Sequence, residues 1–500
     1  MNLFSIICSC QEGYHSTTYA YLDYNPNTGY LDHRLNQGAL KIMGPRLWNP
    51  DKELMSRDEL RALQLVKLKS LLNRVYEESP YYQRKFDKAG VHPRKLKSLE
   101  HYQDYPFFDK DEERASQEAS RETADHTFGL HITCDPKLVN RVSSSSGTTG
   151  SPTYSGFTLK DREITNDNQA RALVRLGIEP GDVVMHASVL SMWIAGIPGV
   201  DSMMAYGACL VPVGALSGVE RVAQIARDTR PKSIKCTVSY AQYLVKHMEE
   251  RTGIDTRKLG LEKVVVFGEP GGSIPEIYEP LEEGFGGAMV HDIMGATGCH
   301  SPTGISCEEH SGIHFYAEDN AMFEICDPAT LESFPIENGV EGEIVFTGLE
   351  RECGPLIRWR DKDIIQVTTE PCRCGRPGPR MLFKGRVDDM LLVKGVNVFP
   401  NAVRDVINKT SKFTTGNIRI VNPDSGPVVP APVLIKVEIK GGLSGQQKLT
   451  LSGQLANALH HQLRFRAHFD FIDEGEFELL KGATGKTRLV EQITDPIQAK

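Results

Sequence analysis

Between Ser143 and Thr153 the chain reads Ser-Ser-Ser-Ser-Gly-Thr-Thr-Gly-Ser-Pro-Thr. Small hydroxyl residues and glycines let a backbone wrap an anion closely and offer it N–H and O–H donors, which is phosphate-binding chemistry. No lysine follows the glycines, so this is not a loop of the G-x-x-x-x-G-K-[ST] type. A flexible Ser/Gly linker has the same composition, and the segment alone does not separate the two. A second constellation is Cys307 and His314, followed later by Cys372-Arg373-Cys374. Soft thiolates with an imidazole suit tetrahedral zinc. Four protein ligands leave no open position, so such a site would staple two loops rather than catalyse. Cys299, His300 and His310 are rival ligands, and unrelated free thiols would read the same. Cys8 and Cys10 form a C-x-C with no partner pair nearby.

Groups so far apart in sequence need a scaffold that gathers them. Val183 to Ser188, Cys209 to Val213, Ile234 to Thr237, Val264 to Phe267 and Met289 to Met294 read as strands. Helical stretches at Val219 to Arg230, Tyr240 to Glu250 and Pro275 to Phe285 separate the later ones. That is βαβ order, hence an α/β fold with a mostly parallel sheet. Val264 to Phe267 is apolar throughout, as expected of a strand buried on both faces. Upstream, Ser56-Arg57-Asp58-Glu59 is a capping box. Leu60, Leu63, Leu68, Leu71, Leu72 and Val75 follow on one helical face, and Pro80 is read as the stop. After Gly385 the texture becomes that of a small α+β unit. Helices are expected at Ala402 to Lys412 and Leu449 to Phe465, with strands at Ile418 to Val421 and Val433 to Lys440. The expected division is an irregular extension over 1–45, a large domain over 46–385 and a small C-terminal domain over 386–500.

Composition bounds the function. The chain has 500 residues, and Asp and Glu (65) outnumber Lys and Arg (57) for a net charge of -8. A duplex-binding surface is not advertised, and no nucleic-acid partner is expected. No apolar run approaches the roughly 20 residues of a membrane span. Met1 to Cys10 is short and lacks a basic start, so it does not read as a signal peptide. The 11 cysteines, without a secretion signal, favour a reducing cytoplasm over a disulfide framework.

Further segments extend the Ser143–Thr153 pattern in a fixed order. They are Ser79-Pro-Tyr-Tyr-Gln-Arg-Lys-Phe-Asp-Lys-Ala-Gly90, Gly268-Glu269-Pro270, Asp292-Ile-Met-Gly-Ala-Thr-Gly298, Ile357-Arg-Trp-Arg-Asp-Lys-Asp363, Gly385-Arg-Val-Asp-Asp389, Lys394-Gly-Val-Asn-Val-Phe-Pro400 and Gly485-Lys486. Together they resemble the adenylate-forming superfamily of acyl-CoA synthetases, adenylation domains and luciferases, and most closely its phenylacetate–CoA ligase family. The resemblance runs from about residue 50 to 490.

The resemblance implies a large N-terminal α/β domain and a small mobile C-terminal lid. It implies two steps: an aromatic carboxylate attacks the α-phosphate of ATP to give an acyl-adenylate and pyrophosphate, and CoA then displaces AMP. Ser145, Ser146, Gly147, Thr148, Thr149 and Gly150 would cradle phosphates. Gly268, Glu269, Pro270, Asp292, Met294 and Gly295 would line the adenine. Asp363 would hold the ribose hydroxyls and Arg386 would contact the nucleotide. Thr297 and Lys486 would be catalytic, the lysine neutralising charge on the α-phosphate. Asp388 would be the hinge, and Gly395 would line the thiol's path. Mg²⁺ would accompany ATP, and some relatives hold structural zinc on the Cys307, His314, Cys372, Cys374 pattern. Three positions depart from the family. Ser151 replaces a lysine, Gly298 replaces the glutamate that binds Mg²⁺, and Met294 replaces an aromatic. The departures keep a second reading open: a degenerate ligase-fold protein that binds nucleotide without turnover. A third passes the acyl group to a carrier-protein thiol or an amine. A homodimer is compatible with all of them. Met192, Trp193, Ile194 and Ile197 would line the acid pocket, or else serve core packing.

Overall fold

The computed structural model describes residues 46–145, 152–269, 271–296, 298–387, 389–394, 396–423, 428–477 and 489–492. The expectations for 1–45, Ser146, Gly147, Thr148, Thr149, Gly150, Ser151, Pro270, Thr297, Asp388, Gly395 and Lys486 lie outside the described residues.

Strands β1 (Arg141–Ser144) and β2 (Tyr154–Phe157) form an antiparallel hairpin. Then come β3 (Val183–His186), β4 (Cys209–Pro212), β5 (Ser233–Cys236), β6 (Lys263–Phe267) and β7 (Met289–Met294). They lie side by side in the order β4-β3-β5-β6-β7, every pair parallel. Helices Ile197–Tyr206, Val219–Thr229, Val238–Thr252 and Pro275–Gly284 connect them. Both faces of β6 are covered, which is why Val264 to Phe267 reads as an unbroken apolar run. Val264 and Val266 enter one apolar cluster with the helices Val219–Thr229 and Val238–Thr252. Val265 and Phe267, pointing the other way, enter a second with Leu159–Leu176 and Ile197–Tyr206.

The parallel pairing expected of the sheet holds in this half. The same sheet continues through β8 (Gly304–Ser306), β9 (Ile313–Phe315), β10 (Ala321–Cys326), β11 (Ser333–Phe334), β12 (Glu341–Gly348), β13 (Trp359–Thr368) and β14 (Arg380–Arg386). Their order beyond β7 is β8-β9-β14-β13-β12-β10-β11, all antiparallel. The reason is chain length. The links between successive strands here are too short to hold the crossover helix that a parallel pair requires.

The capping box forms as expected: Ser56 and Glu59 cap each other at the start of the helix Arg57–Glu78. Pro80 does more than stop that helix. It is the first residue of the next one, Pro80–Ala89, capped by the Ser79 hydroxyl. Proline suits that place because the first N–H of a helix has no partner to lose. These helices pack Leu68, Leu72, Tyr82 and Phe86 against Ile357 and Trp359, bracing the segment that leads into β13.

After β14 come β15 (Leu391–Val393), β16 (Val396–Val398), β17 (Thr414–Asn422), β18 (Val433–Ile439), β19 (Ala467–Asp473) and β20 (Val490–Gln492), with helices Pro400–Thr410 and Gly445–Leu463. Their buried apolar cluster runs from Leu391 to Ala467 and draws on no residue before β15. Among the described residues no helix is long and apolar enough to cross a membrane. The nine described cysteines are free thiols.

Candidate functional site

The Ser/Gly/Thr segment is presented by the β1–β2 hairpin. Its stem is fastened at four places. Ser144 faces Tyr154 across the hairpin. The Ser145 N–H donates to the Thr153 carbonyl at 3.0 Å, and the Thr153 N–H donates to the Ser145 hydroxyl oxygen at 3.0 Å. The Gln117 amide then pairs with both backbone groups of Tyr154, at 2.7 and 3.0 Å, as an extra strand would. On the other side the Ser144 N–H donates to the Met192 carbonyl at 3.0 Å. Ser145, the last described residue before the segment 146–151, is thus held by backbone and side-chain bonds.

The parallel strands end nearby. Gly268 follows β6 with a φ of 76°, a left-handed conformation that glycine adopts without strain. Glu269 does not stand open: its carboxylate accepts from the Ser239 N–H and hydroxyl, each at 2.8 Å, in the first turn of the helix Val238–Thr252. Asp292 lies in β7, opposite Val266. Burial pushes its carboxyl up to about 8. Gly272 is held so close that a Cβ there would lie 2.8 Å from the Asp292 Cβ. Met294 is buried where β7 turns from a parallel neighbour to an antiparallel one, and Gly295 lies against Ser301. Ligands gather at such carboxyl ends, where a sheet changes its winding.

Asp363 and Arg386 face each other across β13 and β14, and the Arg386 guanidinium donates to the Asp363 carboxylate at 2.6 Å. The nearer arginines are committed elsewhere. Arg358 binds the carbonyls of Gln103 and Tyr105 and pairs with Glu324, while Arg360 pairs with Glu343 at 2.6 Å. Gly298 is buried, and a Cβ there would meet Leu356 Cδ1 at 3.2 Å and Trp359 Cδ1 at 3.5 Å. Its φ is outside the left-handed region.

A single carboxylate ties these parts together. Asp161, in the first turn of the helix Leu159–Leu176, is fully buried. It accepts from the N–H groups of Thr158, Glu352 and Cys353 at 3.1, 2.8 and 3.1 Å, and it meets His300 Nε2 at 3.0 Å. Despite burial, Arg351 and His300 hold its carboxyl below the usual carboxylate range. Sequence reasoning missed Asp161, which reads there as an ordinary helix-start acid.

Cys307 follows β8, His314 lies in β9, and Cys372 and Cys374 sit between β13 and β14. Their ligand atoms lie within 4.8 Å of one another. With bonds of about 2.3 Å to sulfur and 2.05 Å to nitrogen, tetrahedral zinc spaces two sulfurs about 3.8 Å apart and sulfur and nitrogen about 3.6 Å apart. Cys307 Sγ to Cys372 Sγ is 3.7 Å, and Cys374 Sγ to His314 Nε2 is 3.4 Å. The donor set and its spacing therefore fit the ion. The rivals are engaged elsewhere. His300 is on Asp161, His310 meets Glu282 at 3.3 Å and stacks on Tyr278, and Cys299 packs in an apolar cluster.

Of the four apolar residues expected at an acid pocket, Met192 and Ile197 are exposed and Trp193 packs 5.5 Å from the Phe267 ring. Beside them are two residues the sequence reading passed over. His186 at the end of β3 and Lys235 in β5 are register partners, and both are buried. Burial drops the His186 imidazole to about 3 and pulls the Lys235 ammonium down to about 8.

No family model matches the chain. It is 37% identical over 366 residues to a phenylacetate-coenzyme A ligase of Thermus thermophilus, covering 72% of this chain and 78% of that one. It is 32% identical over 420 residues to the Escherichia coli K12 protein of the same name, covering 83% and 89%. Among solved structures, it superposes on 2-hydroxyisobutyryl-CoA ligase in the postadenylation state, in complex with 2-HIB-AMP, with a TM-score of 0.80. Identity there is 26%, and 92% of this chain and 94% of that one are covered. The same ligase with 2-HIB-AMP and CoA in the thioesterification state gives 0.65 at 27% identity, covering 94% and 96%.

Proposed function

This chain belongs to the phenylacetate–CoA ligase family, and from that premise we propose that it activates an aromatic carboxylic acid with ATP as an acyl-adenylate and passes the acyl group to CoA. The observation that carries the reading is the convergence of the β1–β2 hairpin on the end of β6: the Ser144 N–H bonds the Met192 carbonyl at 3.0 Å, and the adjacent Trp193 packs 5.5 Å from the Phe267 ring. In-line attack on the α-phosphate needs such convergence, because its barrier falls mainly through positioning and charge neutralisation.

In this reading the segment 145–150 holds the phosphates. Gly268, Glu269, Asp292, Met294 and Gly295 border the base, and Asp363, set by Arg386, takes the ribose. Thr297 and Lys486 act on the transferring group. Residues from 386 onward form the lid, turning at Asp388 to bring Gly395 to the thiol's path. The lower score against the thioesterification state supports a lid that rotates between the two steps. Zinc on Cys307, His314, Cys372 and Cys374 would close a four-ligand structural staple between β8, β9 and the loop before β14. Mg²⁺ would ride on the phosphates with its waters, since Gly298 supplies no carboxylate. The enzyme would work in the cytoplasm.

One observation favours the reading of a nucleotide-binding protein without turnover: the space beside Gly298 is filled by Leu356 and Trp359. Pyrophosphate release over a panel of aromatic acids, with and without CoA, separates the two. Release with at least one acid, and formation of its CoA thioester, is expected. No release with any acid, alongside measurable ATP binding, would replace the ligase reading by the second one.

A further inference from the structure

Lys235 is used by neither the fold nor the chemistry above. It is 6% exposed, in the middle of a sheet. Its flanking residues, Ile234 and Cys236, point into the cluster with the helices Val219–Thr229 and Val238–Thr252. Lys235 points the other way, toward Phe267, and its Nζ lies 5.3 Å from that ring's centroid. The helix Ile197–Tyr206 passes close by, and Nζ is 4.0 Å from where a Cβ on Gly199 would be. Among the described residues no carboxylate meets Nζ, and burial alone accounts for its lowered affinity for protons. His186, alongside in β3, is also buried, with neither ring nitrogen hydrogen-bonded to a described group. Trp193 and Phe267 supply aromatic walls to the same place.

Buried lysines are ordinarily paired, because an unpaired ammonium gives up its hydration for nothing. Aromatic walls with a buried cation and an unpartnered imidazole at the carboxyl ends of parallel strands make a binding site whose polar partner comes from the ligand. The depth says which part of the ligand. Lys235 is level with Val265 and His291, three residues before Gly268 and Met294, or about 10 Å along the strands at about 3.3 Å per residue. The reacting carboxylate belongs beside the phosphates, nearer Gly268 and Met294. The cation lies below them, near the ends of the shorter strands β3 and β5.

We propose that Lys235 is the specificity residue of the acid site and that the acid carries a second carboxylate, remote from the reacting one, which the Lys235 ammonium receives with His186 beside it. The proposal rests on the ligase reading and deepens it. An apolar acid would leave the ammonium unpaired, and a site built around a polar partner rejects analogues that lack it far more strongly than an apolar pocket rejects a missing methylene.

The test compares the natural protein with Lys235→Met, a near-isosteric change. Pyrophosphate release is measured with phenylacetate against its 3- and 4-carboxy derivatives, and with benzoate against isophthalate and terephthalate. The natural protein should prefer a dicarboxylate in at least one set. Lys235→Met should lose about 100-fold or more in kcat/KM on that acid while keeping or gaining on its parent, which also shows that the variant is folded. A natural preference for the parents, or an equal change on both members of each pair, overturns the proposal and leaves the ligase reading standing. If no acid supports release, the ligase reading fails. The heat-unfolding midpoint with each acid then decides: a rise with a dicarboxylate that Lys235→Met abolishes supports the site, and no rise with any of them overturns it.

Discussion

The unpaired ammonium of Lys235 should make the protein less stable at neutral pH than it would be without it, and the deficit should shrink as the solution becomes alkaline. Burial lowers the group from 10.5 in the unfolded chain to about 8 in the fold. Below pH 8 both states hold the proton and the full penalty is present. At about 1.36 kcal/mol per unit, it comes to about 3 kcal/mol at pH 7. Between pH 8 and 10.5 the unfolded chain binds more protons than the folded one, so the stability of the natural protein rises with pH through this window. By pH 10 the penalty is about 1 kcal/mol. Lys235→Met removes the ammonium and keeps most of the volume. Urea unfolding of both proteins at pH 7, 8.5 and 10, without ligand, should show the variant ahead by up to about 3 kcal/mol at pH 7 and by about 1 kcal/mol at pH 10. Comparing the two proteins at each pH cancels the titration of every other group. A variant less stable at pH 7, or an advantage that does not change with pH, would refute the reasoning, because an ammonium with a hidden partner would behave in those ways.

Three further outcomes are expected. Asp161→Ala should cost about 3–5 kcal/mol in urea unfolding, since it strands His300, Arg351 and two buried N–H groups, whereas Asp161→Asn should cost less; equal, small losses would remove the carboxylate from its place as a tie. Purified protein should carry about one zinc per chain by elemental analysis, and Cys372→Ser should lower both metal content and melting temperature with little effect on the KM for ATP; a metal-free protein of unchanged stability would count against the staple. Arg386→Ala should raise the KM for ATP about tenfold and leave the melting temperature nearly unchanged, because the pair with Asp363 is partly exposed (42% and 22% for the two side chains) and adds little to stability; a shift in melting temperature with no change in KM would reverse that assignment.

What the sequence disclosed depended on whether a residue's partner was local. The Ser56–Glu59 box and the apolar run Val264 to Phe267 could be read directly, because capping spans one turn and burial on both faces leaves no alternation. β13 could not. Its first residues, Trp-Arg-Asp-Lys-Asp, carry no apolar alternation to mark a strand, and Arg360 is answered by Glu343 on β12 and Asp363 by Arg386 on β14. Both answers come from neighbouring strands. The Cys and His ligand chemistry was legible as chemistry. The choice among rivals was not, since it turned on Asp161 claiming His300 and Glu282 claiming His310. Lys235 was the least legible of all. Nothing in Ser-Ile-Lys-Cys marks the lysine as buried, and its position between β3 and β6 is what removes the water.

Gly298 changes meaning when it is placed. As a letter in a motif it marks a carboxylate removed. In the fold, the volume that a side chain there would take is closed by Leu356 and Trp359. Both belong to the segment that enters β13 and carries Asp363, and both pack on the N-terminal helices through Tyr82 and Phe86. The backbone at Gly298 would accept a side chain, since its φ lies outside the left-handed region, so the obstacle is packing. Leu356 and Trp359 are fixed by buried neighbours, and the site has been rebuilt around the glycine rather than left with a gap. A metal accompanying the nucleotide would find no carboxylate at this position, and Mg²⁺, an ion that sheds its waters reluctantly, would keep phosphate oxygens and water as ligands. On the proposed reading, the other end of the site would show the same exchange, with the Lys235 ammonium answered by the acid. Catalytic charge would then come from the ligands at one end, and protein charge would await a ligand at the other.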